Sequence, residues 1–306
     1  MENRAAALRA ALSNETGRLV ILGHDTPDMD SLLSCVLVKR LLAFWNIPSQ
    51  IVLPTPEDGQ CRRLMPQLGF APEAWRGETC AGDALILVDH HAAQHAGHVA
   101  AIIDHHPTDF APDAPFVWIA QSGACAAMVY NLMEAAGMPV TPEDEKLAVA
   151  ALYLDTLALR STKILPQEAQ WAKERAAALR MDAAWLEKEG LGLQDPALPV
   201  PVLAMTGKKR FVYGSKVVFS TYVQLDGMED GLRASLLGVL TAALMENGAD
   251  LWVFLHHDPA AMRSVEYDVW PDGTVETIGY DHLVSRGKDV MPRIERRMRE
   301  QDGCKA

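Results

Sequence analysis

Several apolar runs in the first 120 residues stop abruptly. LVIL (19–22), DALILVDH (83–90), VAAIIDHH (99–106) and PFVWIA (115–120) are almost continuous in Val, Ile, Leu and Ala, with little polar alternation. Such runs predict strands buried on both faces, as in parallel sheets. A shorter run, SQIVLP (49–54), predicts one more strand. Between the runs lie segments of helical character: 2–14, 30–46, 59–69, 122–137, 141–159 and 165–180. The helix at 141–159 is announced by a Thr141 cap with Pro142 in its first turn. Strands alternating with helices predict an α/β fold, with a mainly parallel sheet flanked by helices on both faces.

The pattern changes at 181–201. DPALPVP carries three prolines in seven residues and cannot be continuous helix. The expected organisation is a domain at 1–183, a linker at 184–201 and a smaller α/β domain at 202–306. Within the latter, RFVY and VVFSTYVQL read as strands around the turn YGSK. A helix at 229–246, a strand at ADLWVFLHH, a hairpin strand at 262–270 and a helix after Pro292 follow. The tail DGCKA reads as frayed.

Three of the early runs share a second feature. LVIL leads into GHDTPDMDS (23–31), ALILV into DHH (89–91), and AAII into a second DHH (104–106). In open parallel sheets, ligands bind beyond the carboxyl ends of the strands. The three tips would lie along one sheet edge. Seven of the ten histidines are His24 or lie within 90–106. Taken singly, each tip has a structural explanation. Asp30 suits a helix N-cap, His95 and His98 suit a surface loop, and His256, His257 and Asp258 suit a structural strand end. Together, so many carboxylates are costly to bury without counter-charge. Divalent metal supplies that charge. Mixed imidazole and carboxylate donors suit Mn²⁺, Fe²⁺, Co²⁺ or Zn²⁺ better than Ca²⁺. With no cysteine in the motifs, a structural zinc site is not indicated. A carboxylate shared by two ions about 3.5–4 Å apart would make a hydrolytic centre. ALYLDTLALRSTK (151–163) adds Asp155, an acid inside an apolar helical stretch.

Composition narrows the partners. The 306 residues carry a net charge of −12, which argues against binding long nucleic acid and leaves a small anionic substrate held through metal. No window resembles a signal peptide or a membrane span. Five cysteines without a CxxC pair fit reduced thiols in a cytoplasm.

GHDTPDMDS, LVDHH, IDHH and LDTLALRSTK, in that order, resemble the DHH phosphoesterase superfamily. GKKRF (207–211) and SRGKDVMP (285–292) resemble the lysine and SRK-type motifs of its DHHA2 domain. That pairing is similar to family II inorganic pyrophosphatases and related exopolyphosphatases. The resemblance implies that His24 and Asp28, with Asp155, hold one metal ion, that Asp30 and His105 hold a second, and that Asp89 bridges them. It implies that His106 contacts substrate or donates a proton, and that Asp104 orients the neighbouring imidazoles. Lys209, Arg286 and Lys288 would grip phosphate, and the turn at Ser122 and Gly123 would offer backbone N–H groups to an anion. The departures are Gly287 where those pyrophosphatases usually have lysine, Pro107-Thr108-Asp109 after the second DHH, and His91 in place of asparagine.

The expected reaction is hydrolysis of a phosphoanhydride by a hydroxide bridging two divalent ions, most simply Mn²⁺, with Co²⁺ or Mg²⁺ as alternatives. The site would form in a cleft between acidic and basic domains, and a homodimer through a sheet edge is conceivable. A phosphodiesterase on short oligonucleotides or nucleotides is the alternative, motivated by Pro107 and Gly287. A phosphate sensor without turnover is a third reading. A dinucleotide-binding oxidoreductase is disfavoured because no GxGxxG follows the first strand.

Overall fold

The computed structural model describes residues 1–92, 94–108 and 111–303. Asp109 and Cys304 lie outside the described residues. The chain divides into two compact units, one of 1–159 and 164–187, the other of 160–163 and 188–306.

In the first unit, α1 (Glu2–Ser13), β1 (Leu19–Leu22), α2 (Met29–Phe44), β2 (Gln50–Ile51), α3 (Gly59–Leu64), β3 (Ala84–Val88), β4 (His98–Asp104) and β5 (Phe116–Ile119) are followed by α4 (Cys125–Ala135), α5 (Pro142–Asp155), α6 (Pro166–Ala178) and α7 (Ala183–Leu191). The strands form one sheet in the order β2-β1-β3-β4-β5, with every neighbouring pair parallel. Ile21, Ile86, Val88, Ala101 and Ile103 pack with residues of α1, α2, α4 and α5 in one large core. Val20, Leu22, Leu85, Leu87 and Ile102 form a smaller cluster on the other face, completed by strand and connecting-segment residues. A fully buried Leu or Ile contributes about 1.5–3 kcal/mol. That explains why β1 and β3 tolerate no polar residue: every position in them is buried. Thr141 caps α5 with a full capping box, as its sequence predicts.

Two helices ended earlier than periodicity alone suggests. The pattern from 59 continues as a 3₁₀ turn, Met65–Leu68. The α5 helix stops at Asp155, because Leu157, Ala158 and Leu159 all take positive φ (53°, 52° and 65°). Thr156 Oγ1 bonds back to the Leu152 carbonyl and accepts from the Leu159 N–H, which secures that turn. The segment expected as a linker is partly helical: α7 enters it, and α8 (Val200–Ala204) starts after Pro199.

The second unit holds β6 (Lys209–Tyr213), β7 (Lys216–Gln224), α9 (Asp230–Glu246), β8 (Leu251–Asp258), β9 (Arg263–Val269), β10 (Val275–Tyr280) and α10 (Met291–Gln301). Its sheet runs β10-β9-β8-β7-β6 and is antiparallel except for the β7–β8 pair. β10 went unread in the sequence because VETIGY is short, mixes apolar and polar residues and has no buried position. His256, His257 and Asp258 are structural. Their partners are the Leu225 carbonyl, Ser264 Oγ, and the Ala261 N–H with Arg263. Among the described residues no helix is long and apolar enough to cross a membrane.

Candidate metal centre

β1, β3 and β4 are neighbours in register, with Leu22 opposite Leu87 and Val88 opposite Ile103. Their carboxyl ends therefore stop at one sheet edge. The chain leaves β1 toward β2 and β3 toward β4, on opposite sides. This reversal opens the crevice where α/β sheets bind ligands.

Each tip delivers its side chains by a distinct local device. After β1, Asp28 is the N-cap of α2, accepting from the Ser31 N–H at 3.1 Å. Its other oxygen lies 3.2 Å from His24 Nε2. The cap is thus Asp28, not Asp30. Asp30 is buried in the first turn and accepts from the N–H groups of Cys125 (2.6 Å) and Ala126 (2.9 Å), where α4 begins. A helix N-terminus is a favourable place for a carboxylate. After β3, Asp89 adopts φ 63°. Aspartate is among the few residues other than glycine that adopt this conformation readily. Ser31 Oγ donates to Asp89 Oδ2 at 2.6 Å.

The donors fall into overlapping groups. His24, Asp28 and Asp89 offer atoms within 4.8 Å of one another; so do Asp30, His105 and Asp155, and so do Asp89, Asp104, His105 and His106. Asp89 links the first and third groups: Oδ2 lies 3.5 Å from His24 Nε2 and Oδ1 lies 3.1 Å from His105 Nε2. His105 Nε2 is also 3.7 Å from Asp30 Oδ2 and 3.7 Å from Asp155 Oδ2. Asp155 therefore joins Asp30 and His105, not His24 and Asp28 as the resemblance suggested. The physical reason is its place at the last residue of α5, which packs against α2 and α4.

Hydrogen bonding fixes the rings. A carbonyl or carboxylate oxygen only accepts, so an imidazole nitrogen facing one must carry the proton. Nδ1 of His24 faces the Asp25 carbonyl (2.9 Å), Nδ1 of His105 faces the Ser122 carbonyl (3.0 Å), and Nδ1 of His106 faces Asp104 Oδ1 (2.9 Å). With Nδ1 so engaged, Nε2 of His24 and His105 is the nitrogen turned toward the acids and the one that would bind metal in the neutral ring. The ring of His105 is set by Ser122; Asp104 bonds only its backbone N–H. Asp104 orients His106 and, unforeseen, His91.

Burial and Asp28 push the Asp89 carboxyl up, and the imidazoles of His105, His106 and His24, when protonated, push it down. Burial lowers the His106 imidazole, against Asp104, which raises it. Burial also lowers His90 to about 4, so that ring is neutral, with Nδ1 bonded to the Val88 carbonyl. Asp89 Oδ1 and His105 Nε2 are buried with no hydrogen bond among the described residues. Two opposed lone-pair atoms in that state fit a shared divalent cation.

The turn at Ser122 and Gly123 is already satisfied. Glu168 accepts from Ser122 Oγ (2.5 Å), Gly123 N–H (2.8 Å) and Leu165 N–H (3.0 Å). The acceptor at this turn is the chain's own carboxylate, and Ser122 serves the centre through its carbonyl.

The three cations expected to grip phosphate lie in the second unit. Lys209 starts β6, while Arg286 and Lys288 lie in a π-helical turn, Arg286–Val290. Arg286 Nη1 donates to the Gly207 carbonyl (2.5 Å) and its guanidinium stacks over Tyr222 (5.5 Å to the centroid). The GKKRF and SRGKD motifs are thereby joined. Gly207 has φ +58°, and a Cβ there would stand 2.1 Å from Tyr222 Cε1. Lys208 lies over Phe219 and Trp252, 4.4 and 5.1 Å from their ring centroids. Lys288 Nζ donates to the Lys163 carbonyl (3.2 Å), and Thr162 Oγ1 donates to Asp289 (2.8 Å).

Sequence reasoning missed Ser31, His91, Glu168 and Tyr222 as supports of these groups. Ser31 and His91 stand inside quoted motifs, where position was the available signal. Nothing local marks Glu168 or Tyr222.

Residues 18–159 match the model of the DHH family, N-terminal domain. That span, within the first unit, is similar to the DHH family. Over its longer span the chain is 26% identical to a manganese-dependent inorganic pyrophosphatase of Bacillus subtilis, covering 92% of this chain and 99% of the relative. It is also 26% identical to a probable manganese-dependent inorganic pyrophosphatase of Bacillus licheniformis, covering 81% and 84%. A Methanococcus jannaschii structure described as a family II inorganic pyrophosphatase superposes with a TM-score of 0.73 at 20% identity, over 91% of this chain and 98% of that one. The matched span, 18–159, contains all six proposed metal ligands.

Proposed function

We propose that this chain is a metal-dependent phosphohydrolase that cleaves a phosphoanhydride, inorganic pyrophosphate or a short polyphosphate. The observation that carries the reading is Asp89, whose two oxygens face His24 on one side and His105 on the other. The ligand set is His24, Asp28 and Asp89 for one divalent ion, and Asp30, His105 and Asp155 with Asp89 for the other. The names of the two Bacillus relatives support manganese. A metal pair bound there lowers the pKa of water toward neutrality and polarises a phosphoryl oxygen.

The chain's own groups do the remainder. His106, with Nδ1–H bound to Asp104, presents Nε2 to substrate, as an acceptor when neutral and as hydrogen-bond or proton donor when the ring is protonated. Lys209, Arg286 and Lys288 neutralise non-bridging phosphate oxygens as charge shifts in the transition state. Arg286 engages two oxygens at once, whereas each lysine acts as a point charge. The net charge of −12 favours a small substrate held by these local cations over long nucleic acid. The thiols of Cys35, Cys61, Cys80 and Cys125 are free, in keeping with a cytoplasmic setting.

The test is phosphate release from pyrophosphate and tripolyphosphate with Mn²⁺, Co²⁺ or Mg²⁺, beside a dinucleotide. Release from the first two supports the proposal. Cleavage of the dinucleotide alone would move the assignment to a phosphodiesterase. Substrate binding without turnover would leave a sensor.

A further inference from the structure

The carboxylate of Asp104 is fully buried and serves two imidazoles from different strand ends. Oδ1 accepts from three donors of its own segment: the N–H groups of His105 (2.7 Å) and His106 (3.0 Å) and His106 Nδ1 (2.9 Å). Oδ2 accepts from His91 Nδ1 at 2.5 Å. His91 follows β3, whereas Asp104 closes β4. Among the described residues, the His91 bond is the one side-chain hydrogen bond that holds the Asp104 carboxylate from outside residues 104–106. The carboxylate thus takes both rings through Nδ1, His106 on Oδ1 and His91 on Oδ2, with each imidazole donating.

We propose that His91 is a positioning residue for the hydrolytic reaction, acting through Asp104 to hold His106 in one tautomer and one orientation. A carboxylate is free to rotate about its Cβ–Cγ bond. With Oδ2 unbonded in a dry interior, Asp104 would turn to share its remaining donors. His106 Nδ1 would then lose its aligned acceptor, and the ring would no longer be held in one tautomer with Nε2 fixed toward substrate. Partners one step removed from a reacting group typically change activity by about 10–100-fold. His91 thereby ties the end of β3, which bears Asp89, to the ring that faces substrate.

The kinetic arm of the test rests on the phosphohydrolase reading; the spectroscopic arm does not. Full-length, metal-free protein labelled with ¹⁵N-histidine is examined by long-range ¹H–¹⁵N correlation at pH 8, for wild type, His91→Leu and His91→Asn. The asparagine amide nitrogen sits as far along the side chain as His Nδ1 and keeps the donor. The expected result is His106 as the Nδ1–H tautomer in wild type, mixed tautomers in His91→Leu, and recovery in His91→Asn. With Mn²⁺ and pyrophosphate, kcat falls about 10–100-fold in His91→Leu, with KM within about twofold, and returns most of the way in His91→Asn. Should His91→Leu not fold, His91→Ser, whose hydroxyl is too short to span to Oδ2, carries the same expectation. An unchanged His106 tautomer in the donor-free variant, or an asparagine variant no better than leucine, overturns the proposal. If wild type releases no phosphate, the phosphohydrolase reading fails, and the tautomer comparison alone decides the role of His91.

Discussion

His105 Nε2 and Asp89 Oδ1 stand 3.1 Å apart, both buried, and neither makes a hydrogen bond among the described residues. In a closed interior, such a pair is costly unless something positive lies between or beside the two lone pairs. The same carboxylate reaches toward His24 with its other oxygen. Asp89→Asn keeps the volume and removes the charge. It should lower phosphate release by more than about 100-fold, since even groups one shell further out cost 10–100-fold. Circular dichroism should be unchanged. Near wild-type turnover would show that Asp89 does not bridge.

Ser31 is the nearest support of that bridge. Its hydroxyl, fully buried, donates to Asp89 Oδ2. Ser31→Ala leaves the Asp28 cap in place, because the cap uses the Ser31 backbone N–H. Isothermal titration with Mn²⁺ should show affinity reduced by about tenfold. Equal affinity in both proteins would mean the hydroxyl is only packing.

Arg286 is held by a carbonyl and a ring. Gly207→Ala would drive a Cβ into Tyr222 and force a left-handed residue to carry a side chain. Steady-state kinetics should show KM raised about tenfold or more, the cost of a lost charge-assisted contact to phosphate. A change confined to kcat, with KM unmoved, would place Arg286 outside substrate binding.

A pH effect on stability is expected in the second unit. Asp268 is buried beneath α10, facing Glu266, Arg293 (3.6 Å) and Arg297 (3.8 Å). Burial and then Glu266 raise its carboxyl to about 7 against the two arginines. An acid bound more tightly to its proton in the folded state stabilises below its unfolded pKa. That stability is lost as pH rises through the folded value. Unfolding free energies from urea titrations should therefore decline between about pH 4 and pH 7, by no more than about 1.4 kcal/mol per pH unit from this one proton, and then level off. Asp268→Asn should flatten that decline. An identical slope in the variant would assign it to other groups.

The parallel sheet was legible because β1, β3 and β4 are buried on both faces, and burial writes itself as uninterrupted Val, Ile and Leu. The ligands were legible for a related reason. Acids and histidines at the ends of such runs have no packing role, so Asp89 and His105 stand out against their own strands. The structure brings all six proposed ligands into the overlapping groups. The partition between them was not legible, since it depends on where α5 ends. That end is decided by three consecutive left-handed residues, Leu157 to Leu159, none of which is glycine. Nor was the cap: Asp28 and Asp30 are both plausible by sequence, and only the fold shows Asp30 captured by the N-terminus of α4. Supports contributed from afar, such as Glu168 to Ser122 and Tyr222 to Arg286, leave no local trace.

The most direct measurement is an anomalous difference map from crystals of the full chain equilibrated with Mn²⁺. Two peaks about 3.5–4 Å apart are expected. One should be ligated by His24, Asp28 and Asp89, the other by Asp30, His105, Asp155 and Asp89. A single peak, or two peaks without Asp89 in common, would contradict the binuclear centre on which the proposed hydrolysis depends.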